Sequence, residues 1–320
     1  MAISEQTKGH IVILLTNIIF GINTPIAKDA LSALGPYVLS ALRFAGAALL
    51  FWIASLILHT PKTDKKDIVL MCIASLPGIV FNLFCFIIGL SYTTPTNASV
   101  IVSMTPIFTM IMAWIFLKEP MSIKKIAGVA CGLTGAVILI LSKTSSLHAV
   151  ATNNTLGITL CLVCGVSYAL YLTLFAGLVK RNHPVNTMKW MFTAAFFAVL
   201  PACYPHLKSF DVSSVDTLTF WEAGYVVLMA TFVNYLFIPV AQARLRPTTL
   251  SMYNYVQPVV TAFIALLTAM ESFSFYKATA TLLVFAGVYI VTTSKSRRQI
   301  AEQKKVSVTL KQLTKQNTEK

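Results

Sequence analysis

The stretch IVLMCIASLPGIVFNLFCFIIGL, residues 68–90, runs for 23 residues without a charge. Crossing the hydrocarbon core of a bilayer takes roughly 20 apolar residues. Inside that core each backbone polar group must find its partner within its own segment, so such a run is a transmembrane helix. Composition agrees: 56% of the 320 residues are hydrophobic and 11% are charged, against about 25% charged in an ordinary soluble domain. The fold class expected is an all-α integral membrane protein. Ten spans are expected, near 11–31, 36–58, 68–90, 97–117, 125–142, 156–179, 185–203, 220–243, 249–270 and 276–293.

Lysine and arginine distribution orients these spans. With the N-terminus inside, twelve basic loop residues are cytoplasmic and four (Lys28, Lys143, Lys208, Lys277) are outside, before the tail adds eight more inside. The expected localisation is therefore the cell (inner) membrane, multi-pass, with both termini cytoplasmic. This asymmetry accounts for the formal charge of +14 without invoking nucleic acid. The first span follows a single lysine and no small-residue cleavage site, so it is expected to remain as a helix. The basic tail, 294–320, is either a solvated extension or a contact for anionic lipid headgroups.

The sequence repeats. Shifted by 152 residues, 82–138 aligns with 234–290 without a gap, and twelve of 57 pairs are identical, among them Asn82/Asn234, Pro106/Pro258, Glu119/Glu271 and Gly135/Gly287. Pro36 and Pro184 are the best landmark for the looser match of the earlier helices. Each half then holds five spans, and five is odd, so the second half enters the membrane inverted. Inverted repeats characterise secondary transporters, which bind substrate near the midplane between the halves. The domain division expected is a cytoplasmic N-terminus 1–10, repeats over 11–142 and 156–293, an extracytoplasmic linker 143–155 and the tail.

Candidate site residues are the polar groups that a bilayer would otherwise reject. Asn82 and Asn234, near the middle of spans three and eight, suit either substrate hydrogen bonding across the pseudo-twofold axis or interhelical bonding. Arg43 lies roughly 10 Å inside the outer end of span two, where it either lines a water-filled cavity and attracts an anionic group or serves structure. Span nine offers Tyr253, Asn254 and Gln257; Tyr253 and Gln257, four apart, share a helical face. Tyr168, Tyr171, Trp190 and Tyr235 add aromatic rings with polar tips, suited to enclosing a small organic solute or to an interface belt. Asn23 in FGINTPIAK and Ser103 in VSMT complete the set. Pro106 and Pro258 are expected to bend their helices at a gating point, and LPG at 76–78 to kink span three. Gly128, Gly132 and Gly135 form a small-residue face for close helix packing.

Catalytic chemistry has no candidate: the sequence offers no Ser-His-Asp set, metal cluster or phosphate loop. CLVC at 161–164 has redox spacing but lacks a basic neighbour to form thiolate, and the six cysteines read as core residues. No Asp or Glu falls well within a span, so a carboxylate proton relay is not visible. Neither cofactor nor metal is expected.

The paired pattern of small residue, proline, an apolar run and glutamate, with FGINTPIAK (20–28), ALRF (41–44) and TPIFTMIMAWIFLKEPMS (105–122), resembles the drug/metabolite transporter superfamily, EamA type. The likeness covers almost the whole chain to about residue 293, departing at AMES in the second half and at the proline after Glu119. It implies a permease for amino acids, nucleosides or related metabolites, with the fifth and tenth helices as outer supports or homodimer contacts. The function expected is secondary transport of a small polar metabolite by alternating access, as exporter or exchanger. The alternative is a membrane sensor or scaffold that keeps the fold without transport.

Overall fold

A computed structural model describes residues 4–92, 102, 104–118, 122–141, 154–257, 259–260 and 275–293. Among the described residues every regular element is helical. Helix is continuous over Glu5–Ile57 except at Gly35, whose φ of 70° and ψ of 165° divide it into α1 (5–34) and α2 (36–57). A residue preceding proline is driven toward extended ψ, and only glycine takes the positive φ without strain. One residue thus replaces the longer connection expected between the first two spans. Ser4 caps α1 by accepting a hydrogen bond from the Thr7 amide at 3.1 Å, satisfying one of the donors a helix start leaves orphaned.

The following elements are α3 (Lys65–Tyr92), α4 (Thr105–Leu117), α5 (Ile123–Leu141), α6 (Asn154–Leu174), a short α7 (Ala176–Arg181), α8 (Pro184–Ser209), α9 (Thr217–Arg244), α10 (Pro247–Met252) and α11 (Phe275–Thr292). Among the described residues, five stretches, Asp29–Ile57, Lys65–Tyr92, Thr155–Leu174, Pro184–Ser209 and Thr217–Arg244, are long and apolar enough to cross a membrane. Much of the outer surface is apolar too: Leu49, Leu56, Phe220, Trp221 and Leu282 are exposed. A surface of that kind suits hydrocarbon, and the protein is a multi-pass membrane protein.

Two helices widen locally. In α3 the backbone turns π-helical over Leu76–Phe84; Pro77 lacks an amide donor, and a π turn absorbs that irregularity, so the kink expected at 76–78 takes this form. In α9 the π-helical segment is Leu228–Val233, and no proline explains it. The two segments begin 152 residues apart, the offset of the sequence repeat.

α5 and α11 lie against each other at very short range. A Cβ on Gly287 would come within 2.6 Å of the Gly132 amide nitrogen and 2.7 Å of the Gly128 carbonyl oxygen. The Cys131 thiol reaches the Leu283 carbonyl at 3.4 Å, again 152 residues away. The glycine face of α5 is therefore occupied within the chain. α4 ends at Leu117, with Lys118 left-handed at φ 50°; Glu119 and Glu271 lie outside the described residues.

Contacts define two ends of the bundle. At one end Arg244 donates to Glu5 at 2.9 Å, Arg181 pairs with Asp67, and Lys189 donates to Ser55 at 2.8 Å. Asn186 accepts from Thr60 at 2.7 Å, and the Lys189 ammonium lies 4.6 Å from the centre of the Trp52 ring. At the other end Tyr37 stacks on His206, 4.0 Å between centroids, beside an apolar cluster of Leu34, Val38 and Val226. Between them the main core interleaves Phe44, Phe51, Phe192 and Tyr235.

Candidate functional site

The middle of the bundle holds a cavity of about 130 Å³. Its walls come from α1 (Phe20, Asn23), α2 (Arg43), α3 (Asn82, Leu83, Phe86), Val102, Thr105 at the start of α4, α6 (Cys164, Tyr168), α9 (Tyr235, Ile238) and the chain beyond α10 (Asn254, Gln257). Every residue from 20 to 105 in this set lies in the first half of the chain, and every one from 164 to 257 in the second.

Arg43 is the charged member. It is 3% exposed, and its Nε donates to the Thr231 hydroxyl at 2.9 Å. Thr231 sits in the π segment of α9, and its own hydroxyl donates to the Val226 carbonyl five residues back at 2.7 Å. That carbonyl belongs to the α-helical turn just before the widened segment, so the acceptor that holds Arg43 is itself anchored to its own helix. No carboxylate pairs with Arg43 among the described residues, and none lines the cavity.

Around it the polar groups form a partly satisfied set. The Tyr235 hydroxyl donates to Asn82 Oδ1 at 3.1 Å, and Asn82 Nδ2 makes a long contact to the Cys164 sulfur at 3.5 Å. Gln257 donates to Asn17 Oδ1 at 2.9 Å, tying α10's continuation to α1. Asn23 Oδ1 is buried with no hydrogen-bond partner. A buried polar atom left unpaired is costly.

Asn23, Arg43, Asn82, Tyr168, Tyr235, Asn254 and Gln257 line one cavity. Others are elsewhere. Asn234 is fully buried beside the cavity with neither amide atom hydrogen-bonded, so its chemistry is not that of its repeat mate Asn82. Tyr171 is buried, with its hydroxyl unpaired, and its ring lies 6.2 Å from that of Tyr168. Tyr253 begins a 3-10 turn and is hydrogen-bonded to His10 Nδ1 at 2.9 Å; the change of helical pitch takes it off the face it was expected to share with Gln257. Trp190 packs edge-on against Trp52 at 5.4 Å, at the Lys189 end of the bundle. Pro106 occupies the first turn of α4, where a missing amide costs nothing, and not a mid-helix bend within the described residues. Ser103, Pro258 and the tail lie outside the described residues.

Several functional groups were not anticipated. Thr231, the anchor of Arg43, and Asn17, the partner of Gln257, are mid-span polar residues that the same rule of costly polarity would have flagged. Phe20, Phe86 and Ile238 carry no such signal, because an apolar wall and an apolar core read alike in sequence.

Outside the membrane, Asp211 accepts from Ser213 amide and hydroxyl, which holds its carboxyl below the ordinary aspartate range. The Glu5 carboxyl is likewise held low by Lys8 and Arg244.

Comparison with known proteins follows from this geometry. The model of the EamA-like transporter family matches twice, over residues 7–141 and 155–293. A protein of Archaeoglobus fulgidus described as an uncharacterized transporter is 26% identical over 299 residues, 91% of this chain and 99% of its own. The uncharacterized transporter YetK of Bacillus subtilis is 24% identical over 92% of this chain and 90% of its own. One solved crystal structure superposes with a TM-score of 0.71 at 17% identity, over 88% of this chain and 95% of that one, a likeness of fold.

Proposed function

The chain belongs to the EamA-like transporter family, and from that premise we propose that it is a secondary carrier moving a small polar organic metabolite across the inner membrane by alternating access, as an exporter or exchanger. The observation that carries this reading is the origin of the cavity walls. Phe20, Asn23, Arg43 and Asn82 come from one repeat and Tyr168, Tyr235, Asn254 and Gln257 from the other. A site shared between two halves is exposed to one side or the other as the halves rock.

Three further observations support an inverted ten-helix repeat of residues 11–142 and 156–293. The family model matches each half separately, the two π segments share the 152-residue offset, and Cys131 touches its own repeat mate Leu283. Charge bias assigns the end bearing Glu5, Asp67, Arg181, Lys189 and Arg244 to the cytoplasm, with both termini on that side. There α1 closes against α9 and α10: a Cβ on Gly9 would meet the Arg244 side chain at 2.9 Å, and His10 bonds Tyr253. This seam supports an arrangement shut toward the cytoplasm. The resemblance adds amino acids, nucleosides or their relatives as the starting panel of solutes.

The test is counterflow. Protein reconstituted in liposomes preloaded with each panel member should accelerate uptake of the same labelled solute, saturably, for at least one of them. Folded protein that accelerates none of a broad panel would overturn the proposal.

A further inference from the structure

The electrostatics of the cavity go further than its existence. Arg43 is buried, its Nε is committed to Thr231, and among the described residues its terminal nitrogens make no hydrogen bond. Arg43 is part of the cavity wall. A guanidinium is not deprotonated at any ordinary pH, and a cation at this depth is stabilised by pairing, by carbonyls or by water. Among the described residues the walls supply no carboxylate.

The rest of the lining sharpens the demand. Next to the cation, Asn82 Nδ2 is held only by a long contact to sulfur and is free to donate. The Tyr168 hydroxyl makes no hydrogen bond among the described residues. Phe20, Phe86, Leu83 and Ile238 add apolar and aromatic surface to the same lining. A solute ammonium group would meet a like charge and no anion.

Resting on the reading of this cavity as the transport site, we infer that the solute is a small organic monoanion, a carboxylate whose oxygens pair with the Arg43 fork and whose body packs on the aromatic walls. Fork-to-carboxylate pairing is bidentate and charge-assisted, the strongest class of hydrogen bond available to this cavity. A zwitterion or an organic cation lacks its counter-charge here.

Three isosteric probes separate the alternatives: benzoate, benzamide and benzylamine, with sodium chloride as the control anion. Thermal unfolding of the full-length protein in detergent is followed against each, since a ligand bound to the folded state raises the apparent melting temperature. Benzoate should raise it saturably, by several degrees at millimolar concentration, while benzamide, benzylamine and chloride do not. Arg43→Gln should weaken benzoate by roughly a hundredfold, as expected when a buried charge-assisted pair is lost; Arg43→Lys should retain part of the response. No shift with benzoate, or an equal shift with benzamide or benzylamine, overturns the inference, and neither result needs a variant to fold. A response to chloride equal to that to benzoate also overturns it, because the site would then hold any anion and read no organic body. Counterflow on the same preparation keeps the two proposals apart. Saturable exchange of a neutral or cationic solute without benzoate binding sinks the anion site and leaves the carrier standing. Benzoate binding with no exchange of any solute in a panel widened to include benzoate and other monocarboxylates leaves the site and sinks the carrier.

Discussion

Arg43 and Thr231 meet across 188 residues of sequence, and the contact illustrates how a polar group is made tolerable inside an apolar bundle. Thr231→Val removes the acceptor while keeping the shape, leaving a buried N–H unpaired at a cost of about 1–3 kcal/mol. Its melting temperature should fall by several degrees, and Thr231→Ser should recover most of that. Asn234 makes the opposite case. Both its amide atoms are buried and unpaired, so an apolar replacement removes a penalty instead of a bond. Asn234→Leu is expected to unfold at the same or a higher temperature and to keep counterflow, whereas Asn82→Ala should lose flux with the fold intact. Loss of transport in Asn234→Leu, with the protein folded, would return Asn234 to the site. Such polar residues were legible in the sequence because bilayers punish them. Which of two repeat mates faces the cavity was not, since that depends on a few degrees of helix rotation set by packing.

At the scale of elements, the α5–α11 contact is the tightest test of the packing. Gly287→Ala places a methyl against backbone atoms that cannot rotate away, and overpacking of this kind costs roughly 1–3 kcal/mol. Gly177→Ala in α7 meets nothing within 4 Å and should be neutral or stabilising by up to about 1 kcal/mol. Comparing the two melting temperatures checks the close approach. The seam between α1 and α9 carries a pH signature. Glu5 has its carboxyl pKa depressed by Lys8 and Arg244, so the ion pair is intact above the ordinary glutamate range and is lost as pH falls through the lowered value. Amide exchange in the first turns of α1 should therefore stay slow down to that acid limit and rise below it, and Glu5→Gln should abolish the step. Helix existence was readable from uncharged runs such as 68–90, but helix form was not. Pro77 announced an irregularity, whereas the π segment of α9 has no sequence marker. The break between α1 and α2 rests on Gly35 alone, too brief an interruption to separate from a longer loop by hydropathy.

For the whole molecule, the family model's separate match to each half goes with sequence landmarks, Asn82 with Asn234 and Gly135 with Gly287, that stand out in an otherwise monotonous apolar text. What that text hid is the meeting of distant segments: His10 with Tyr253, Asn17 with Gln257, Arg43 with Thr231. The unpaired guanidinium at the centre has one more consequence, and it concerns voltage. In the carrier proposed above, the empty form holds a net positive charge within the membrane field, where each elementary charge moved through 100 mV exchanges about 2.3 kcal/mol. A carrier loaded with a monoanion holds none. Exchange between two loaded compartments should then ignore an imposed potassium diffusion potential, while net efflux into solute-free buffer, which needs the empty carrier to return, should change with its size and sign. Equal indifference of both modes would mean that Arg43 is neutralised without the solute. On this account the arginine turns membrane potential into a brake that only cargo releases.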